Sequence, residues 1–358
     1  MAHLFVDVSS HGLGHLAQVA PVLNELVRIR PELRLTIRSG LPAERMRARI
    51  SVPFDHHSGC SDFGFVMRDA VCIDSAATGQ AYRKWHADWA RRVAAEAEFL
   101  RGCKPDLVLT DVAYLPLAGA AAAGIPALSM CSLNWAGLFA HVFGHEPWAT
   151  TIHDEILAAY RSAACFLRLT PAMPMPELPD ARPVGPVTVR GRDSRPELHE
   201  RLGSAPGERI VLIAFGGFDK DVNAALWPVM PGVRWLVPEN WGLKRGDMTA
   251  LESLCMDFTR LLCSVDAVLT KPGYGTFTEA ACNGTPVLYV LRHDDWPEQD
   301  CLVDWLKRNA RCQEVDASSL MRGDLMPALE KLWAQTPPPI PDPDGVAEAA
   351  QLIASYLP

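Results

Sequence analysis

The sequence has no C-x-x-C pair. Its ten cysteines, at 60, 72, 103, 131, 165, 255, 263, 282, 301 and 312, are scattered, several of them inside apolar runs. That spacing excludes a zinc ribbon and argues against a disulfide scaffold; reduced, buried thiols in a cytoplasmic protein are the reading. There is no charged leader, because Met1-Ala2-His3 runs straight into the short apolar stretch Leu4 to Val8. No apolar run approaches the ~20 residues of a spanning helix. The longest small-apolar segment, 115–125, is interrupted by Pro116, Gly119 and Gly124. No basic cluster stands out either: 34 Lys+Arg face 42 Asp+Glu, for a net charge of −8. A general nucleic-acid binder is therefore disfavoured. Phosphate binding by backbone amides and helix ends stays open, since it needs no net positive charge. Neither a G-x-G-x-x-G turn nor a D-x-D after a nucleotide-binding strand is found; Asp342-Pro343-Asp344 lies in a proline-rich hinge.

What is present suffices for two full-sized cores. The 358 residues are 49% hydrophobic and 21% charged, and a domain takes roughly 150 residues. Short apolar runs (Leu4 to Val8, Leu33 to Ile37, Leu107 to Leu109, Ile125 to Met130) alternate with stretches at helical spacing (Leu16 to Ile29, Ala76 to Leu100, the Ala-rich segment ending at Gly124). Strands alternating with helices predict an α/β fold with parallel sheets. Prolines at 171, 174, 176, 179, 183 and 186 exclude a helix there. The alternation restarts at Ile210 to Phe215 and runs through Val287 to Val290. The predicted organisation is residues 1–170, a linker over 171–190, a second domain over 191–336, and a hinge with a terminal helix over 337–358 packing back on the first domain. In open parallel sheets ligands bind beyond the carboxyl ends of the strands, so the cleft between two such domains is the default site.

Three segments carry chemistry. Ser9-Ser10-His11-Gly12-Leu13-Gly14-His15 joins a strand to a helix. Its glycines permit a sharp turn and close approach of a ligand, and His15 opens the helix. A helix N-terminus lowers a histidine's pKa, which would leave a neutral imidazole at pH 7 able to act as a general base. A turn with a capping histidine is the plainer alternative, and His11 with His15 as a metal pair lacks a third ligand. Leu107 to Asp111 is a buried strand ending in a carboxylate, fit either to steady a histidine or to cap the next helix. Leu269 to Ala280 is strand, glycine-rich turn and helix. The amides of Gly275, Thr276 and Phe277 would face an anion, with Glu279 one turn further in to accept ribose hydroxyls. The loop Arg292 to Gln299 adds Glu298 and Gln299 as partners for a sugar. His293-Asp294-Asp295, and His56-His57 with Cys60, are weak metal candidates without a second ligand pair. Trp85, His86 and Trp89 read as packing, and Leu138-Phe139 with Val142-Phe143 as a weak signal for peripheral membrane contact.

These islands resemble the nucleotide-sugar glycosyltransferases of the two-domain GT-B fold. The similarity is greatest to the glycosyltransferase-like N-terminal domain of L-arabinokinases; the cell-wall transferase MurG and UDP-glycosyltransferases resemble the chain more distantly. The islands are Ser10 to His15, Leu109 to Ile125, Ser132-Leu-Asn-Trp135, and Lys271 to Gln299 with its G-x-G-T-x-x-E core. The resemblance implies two Rossmann-like doubly wound parallel-sheet domains facing a cleft. It implies an inverting, metal-independent transferase that takes a nucleoside-diphosphate sugar, UDP-sugar favoured, as co-substrate and needs no cofactor. His15 would be the base and Asp111 its partner. Gly14, Gly216, Gly217, Leu254, Cys255, Gly273, Gly275, Thr276, Glu279, Glu298 and Gln299 would hold the donor, and His11, Asn134 and Trp135 would line the side of the acceptor, whether small molecule, lipid or glycan. A base-stacking Trp motif and a kinase half are both missing from the chain. A nucleotide-sugar hydrolase or epimerase, or a non-catalytic nucleotide-sugar-binding module, are the competing readings. The sequence names neither the acceptor nor the oligomeric state.

Overall fold

A computed structural model describes residues 1–69, 72–215, 222–292 and 296–358. The chain divides into two units: Met1–Val187 with Trp296–Glu298 and Asp344–Pro358, and Thr188–Asp295 with Gln299–Pro343.

The first unit is built on strands β1 (His3–Asp7), β2 (Arg34–Ser39), β3 (Asp55–Ser58), β6 (Leu107–Thr110), β7 (Ala127–Cys131), β8 (Cys165–Thr170) and β9 (Arg182–Pro186), with a small hairpin β4 (Met67–Asp69) and β5 (Cys72–Ile73) set apart. The main sheet runs β3-β2-β1-β6-β7-β8-β9, and every pair in it is parallel. Leu4, Phe5 and Val6 of β1 and Leu107, Val108 and Leu109 of β6 are fully buried. Near-continuous apolar runs of this kind are what a strand covered on both faces requires. The accompanying helices are α1 (Leu13–Ile29), α2 (Ala43–Arg47), α3 (Ser75–His86), α4 (Trp89–Cys103), α5 (Leu115–Ala123), α6 (Trp135–Phe143) and α7 (Ala149–Arg161).

Two features depart from the sequence reading. The predicted helix over 76–100 is two helices, parted at Ala87 and Asp88. Within 171–190 the chain adds an edge strand: β9 pairs with β8 at the end of the sheet, the place where prolines such as Pro183 and Pro186 are tolerated. Met173, Met175 and Leu178 from the same stretch are buried in the core.

The second unit holds α8 (Arg195–Leu202), β10 (Arg209–Ala214), β11 (Val233–Val237), β12 (Met248–Ala250), α9 (Phe258–Ser264), β13 (Ala267–Thr270), α10 (Tyr274–Asn283), β14 (Val287–Tyr289), most of α11 (Pro297–Asn309), β15 (Cys312–Glu314), α12 (Ala317–Arg322) and α13 (Met326–Trp333). Its sheet runs β12-β11-β10-β13-β14-β15, all parallel. The last helix, α14 (Gly345–Ser355), belongs to the first unit and packs on α1 and β9.

Both sheets therefore share one plan. The strand order grows outward from the first strand, then reverses beside it, between β1 and β6 in one unit and between β10 and β13 in the other. A reversal opens a crevice at the carboxyl ends of the two strands, which is where doubly wound sheets bind ligands.

Candidate active site

In the first unit the loop after β1 and the residue after β6 meet at this crevice. Gly12 is the N-cap of α1, with an extended backbone (φ 172°), so His15 lies in the first helical turn. A Cβ on Gly12 or Gly14 would meet nothing within 4 Å, so packing does not demand glycine at either place. His15 is 6% exposed and Asp111 is wholly buried, and Nδ1 of the ring lies 2.7 Å from Oδ2 of the carboxylate. The pair has the distance of an ion pair without the alignment of a hydrogen bond. The other oxygen, Oδ1, accepts the N–H groups of Ser9 (3.0 Å) and Val112 (2.7 Å), which fixes the carboxylate. The N-cap of α5 is Tyr114, so Asp111 is not the cap of that helix.

Burial alone would push the His15 imidazole down, but the Asp111 charge outweighs it, and the Cys131 thiol adds a hydrogen bond; the net result is a pKa well above the ordinary 6.5. The lowering expected from the helix N-terminus is opposed here by the carboxylate. A carboxylate in contact acts more strongly than a helix end.

Around the pair lies a polar shell that sequence reasoning missed. Asp62, 8% exposed, accepts from Ser9 Oγ (3.0 Å) and from the indole Nε1 of Trp135 (2.8 Å). Burial, aided by the Asp111 charge, pushes Asp62 up to about 7. The Trp135 ring meets both His11 (centroids 5.4 Å) and His15 (5.9 Å). Beneath them Arg38 joins Asp7 (2.5 Å) to Glu96 (2.6 Å), and Ser61 donates to Asp7 (2.5 Å). Asn134 caps α6 by accepting from the Gly137 N–H (2.7 Å), while its buried Nδ2 has no partner among the described residues. The only sequence signal for Asp62 was a carboxylate among apolar neighbours, in a stretch without period.

Glu298 counts with the first unit. Its Oε1 accepts from Ser132 Oγ (2.7 Å), and Ser132 is held by Gln18 through its backbone N–H (3.0 Å) and its hydroxyl (3.2 Å). Gln299 belongs to the second unit and accepts from the Arg292 N–H (2.7 Å).

In the second unit β13 leads through Lys271-Pro272-Gly273 into α10, with Gly273 as N-cap. The Phe277 N–H is bonded to the Gly273 carbonyl (3.1 Å). It is therefore not among the amides open to an anion, which leaves those of Gly275 and Thr276 in the first turn from the expected set. Glu279, 4% exposed, accepts from Thr259 Oγ1. Leu254 ends a 3-10 turn, its carbonyl accepting from Arg201, and Cys255 follows in the left-handed region (φ 46°). Gly216, Gly217 and His293 to Asp295 lie outside the described residues. A cavity of about 700 Å³ in this unit is lined by Asp266, Pro286 and Arg311, at the amino ends of the strands and away from the glycine turn.

Other predicted features find plain roles. His56 and His57 belong to β3, where His57 packs on Phe99 (4.9 Å). His86 sits between Glu155 (2.6 Å) and Tyr114 (2.9 Å) and stacks on Trp89. Of the residues read as a weak membrane signal, Leu138, Phe139 and Phe143 are core residues of α6, and Val142 is partly buried against that core. No helix among the described residues is long and apolar enough to cross a membrane, and no three His, Cys, Asp or Glu side chains among them converge as metal ligands.

No family model matches the chain. It is 27% identical over 342 residues to an L-arabinokinase from Arabidopsis thaliana, a match covering 92% of this chain and 32% of that protein. The chain thus spans about a third of the length of the curated relative it matches. Among solved structures it is similar to the glycotransferase of kitacinnamycin, with a TM-score of 0.66, 16% identity and 99% of each chain covered. It is also similar to a UDP-glucosyltransferase from Polygonum tinctorium, with a TM-score of 0.61, 14% identity, and 99% of this chain and 98% of that one covered. Together with the two parallel sheets, these likenesses give the chain the GT-B glycosyltransferase fold.

Proposed function

We propose that the protein is an inverting glycosyltransferase that moves a sugar from a nucleoside-diphosphate sugar, UDP-sugar favoured, to an acceptor hydroxyl. The observation that carries this reading is the His15–Asp111 pair at the strand-order reversal of the first sheet. With Nδ1 turned to Asp111, Nε2 is the nitrogen that takes the acceptor proton once the ring is neutral. The acceptor oxygen then bonds to the anomeric carbon as the bond to the phosphate oxygen breaks, and that electron pair leaves with the diphosphate. Asp111 stabilises the imidazolium that forms. Gly275 and Thr276, at the N-terminus of α10, offer amides to the departing charge without a metal or a cofactor. Gly14, Gly273, Glu279, Gln299, Glu298 and the Leu254-Cys255 turn are assigned to the donor, and His11, Trp135 and Asn134 to the acceptor. The unpartnered Nδ2 of Asn134 supports that assignment, because a buried donor left unmet costs ~1–3 kcal/mol and a ligand oxygen would meet it. The open space over Gly12 and Gly14 supports it too. The favoured nucleotide draws on the named activity of the Polygonum tinctorium neighbour.

The test begins with a thermal-shift panel of UDP-, dTDP- and GDP-linked sugars, since a bound donor raises the melting temperature with occupancy. Acceptor-dependent release of nucleoside diphosphate is then measured with the donor that shifts most. His15→Ala is expected to lower turnover about 10²–10⁴-fold while donor affinity stays within a few-fold. Release that needs no acceptor would make the protein a hydrolase, and unchanged turnover in the variant would remove His15 as the base.

A further inference from the structure

The segment Ser61 to Phe65 belongs to neither glycine loop, yet it touches the His15 surroundings at four points. Ser61 donates to Asp7 at the end of β1 (2.5 Å). Asp62 accepts from Ser9 Oγ and from the Trp135 indole (3.0 and 2.8 Å). Gly64 is in the left-handed region (φ 58°), and a Cβ there would stand 2.7 Å from His11 Nδ1 and 3.1 Å from the Trp135 ring. Phe65 packs against Trp135 at 5.8 Å between centroids.

Asp62 is the hub of this contact. Ser9, which it holds by the hydroxyl, donates its backbone N–H to Asp111 (3.0 Å) and accepts the His11 N–H on Oγ (3.2 Å). Trp135, which it holds by the indole, lies against His15. The ring of His15 is therefore bounded by one group that Asp62 bonds directly and by a second, Asp111, that it reaches through Ser9. We propose that Asp62 is a positioning residue for His15: through Trp135 and Ser9 it locks the imidazole against Asp111. The proposal rests on the base assignment above for its consequence in turnover, but not for its geometry.

In its ionised form Asp62 suits this purpose, because both of its oxygens accept and both partners here are donors. Its charge is felt in the same place. The titratable groups facing Asp62 are Asp7 on β1, His15 on α1, Asp111 after β6, Tyr82 on α3, Tyr114 before α5 and Tyr160 on α7. His15 is the single cation of that set, so any change at Asp62 is read by its titration.

The experiment uses the full chain with ¹⁵N-labelled histidine and tryptophan. In Asp62→Ala the Trp135 indole N–H resonance is expected to move and the His15 titration midpoint to shift by half a pH unit or more. Nucleoside-diphosphate release in the same variant should fall about tenfold or more in kcat with the donor KM within about twofold. Asp62→Asn keeps an oxygen for the indole and turns its NH₂ towards the Ser9 oxygen; its kcat is expected within about threefold of the parent. Ser9→Ala cuts one arm of the bridge and leaves Asp62 in place, so it should move the His15 titration in the same direction by less, and it carries the test if Asp62→Ala does not fold. A folded Asp62→Ala whose indole resonance and His15 titration match the parent would overturn the proposal, as would a Ser9→Ala titration identical to the parent's. The two resonances need no turnover, so a protein that transfers no sugar still decides the positioning role while separately refuting the base assignment.

Discussion

At the scale of single residues, the His15–Asp111 contact sets a sign. A neighbouring carboxylate raises the ring's pKa and so favours its cationic form, and a cation cannot accept a proton. The base form grows only as pH rises through that raised value, so the rate should climb on the alkaline side of 6.5. Asp111→Asn removes the charge that opposes burial, and burial acting alone lowers a histidine. The rising limb of the pH–rate profile should then move to lower pH, while the plateau falls by about 10²-fold or more because the imidazolium loses its partner. A limb that stays put in the variant would show that another group titrates. His15 and Asp111 were both legible in the sequence for one reason: each lies just beyond a run of apolar residues that had to be a buried strand, and the segments that follow such strands line the crevice. Asp62 was illegible for the opposite reason, since the segment around it has no period and reaches the site by tertiary contact with Ser9 and Trp135.

At the scale of elements, the packing of α4 on α5 decides where the ion triad beneath the site can sit. Gly119 of α5 faces Glu96 of α4 so closely that a Cβ would stand 2.4 Å from the Glu96 Cγ and 3.3 Å from the Ala97 backbone nitrogen. Glu96 is the residue that holds Arg38, and Arg38 holds Asp7 at the end of β1. Gly119→Ala must part the helices or push Glu96 off Arg38. We expect a loss of about 1–3 kcal/mol, the usual cost of overpacking, read as a lower urea midpoint at unchanged slope; an unmoved midpoint would mean the two helices have slack. The elements themselves were read unevenly. Both Gly-led turns and the strands before them were visible because parallel strands buried on two faces appear as apolar runs. The break at Ala87 and Asp88 was hidden because the helical spacing continues across it. β3 was hidden because an edge strand carrying Asp55, His56, His57 and Ser58 lacks that apolar signature. Prolines hid β9, although an edge is the place in a sheet where proline is tolerated.

At the scale of the whole molecule, the chain leaves the first unit at Val187, touches it again at Trp296–Glu298 and rejoins it at Asp344, so the last segment of the chain is part of that unit. The return is tightly fitted. A Cβ on Gly345 would lie 2.0 Å from the Gly185 carbonyl oxygen, Glu348 accepts the Gly185 N–H (2.8 Å), and Arg30 of the loop after α1 donates to the Pro358 carbonyl (2.7 Å). Ala349, Ala350 and Ile353 of α14 are wholly buried. At roughly 1.5–3 kcal/mol for a buried isoleucine and about 0.8 kcal/mol per methyl-sized group, removing residues 344–358 costs on the order of 3–5 kcal/mol before the uncovered faces of α1 and β9 are counted. Hydrogen exchange resolves where that cost falls. Amides of α1 and β9 should lose protection by that free energy, while those of β10, β13 and α10 should keep theirs. Because unfolding of a two-unit chain is not a single transition, the contrast between the two sets of amides is the measurement, not one melting temperature. Equal loss of protection in both sets would mean that α14 supports the whole chain and not the first unit alone.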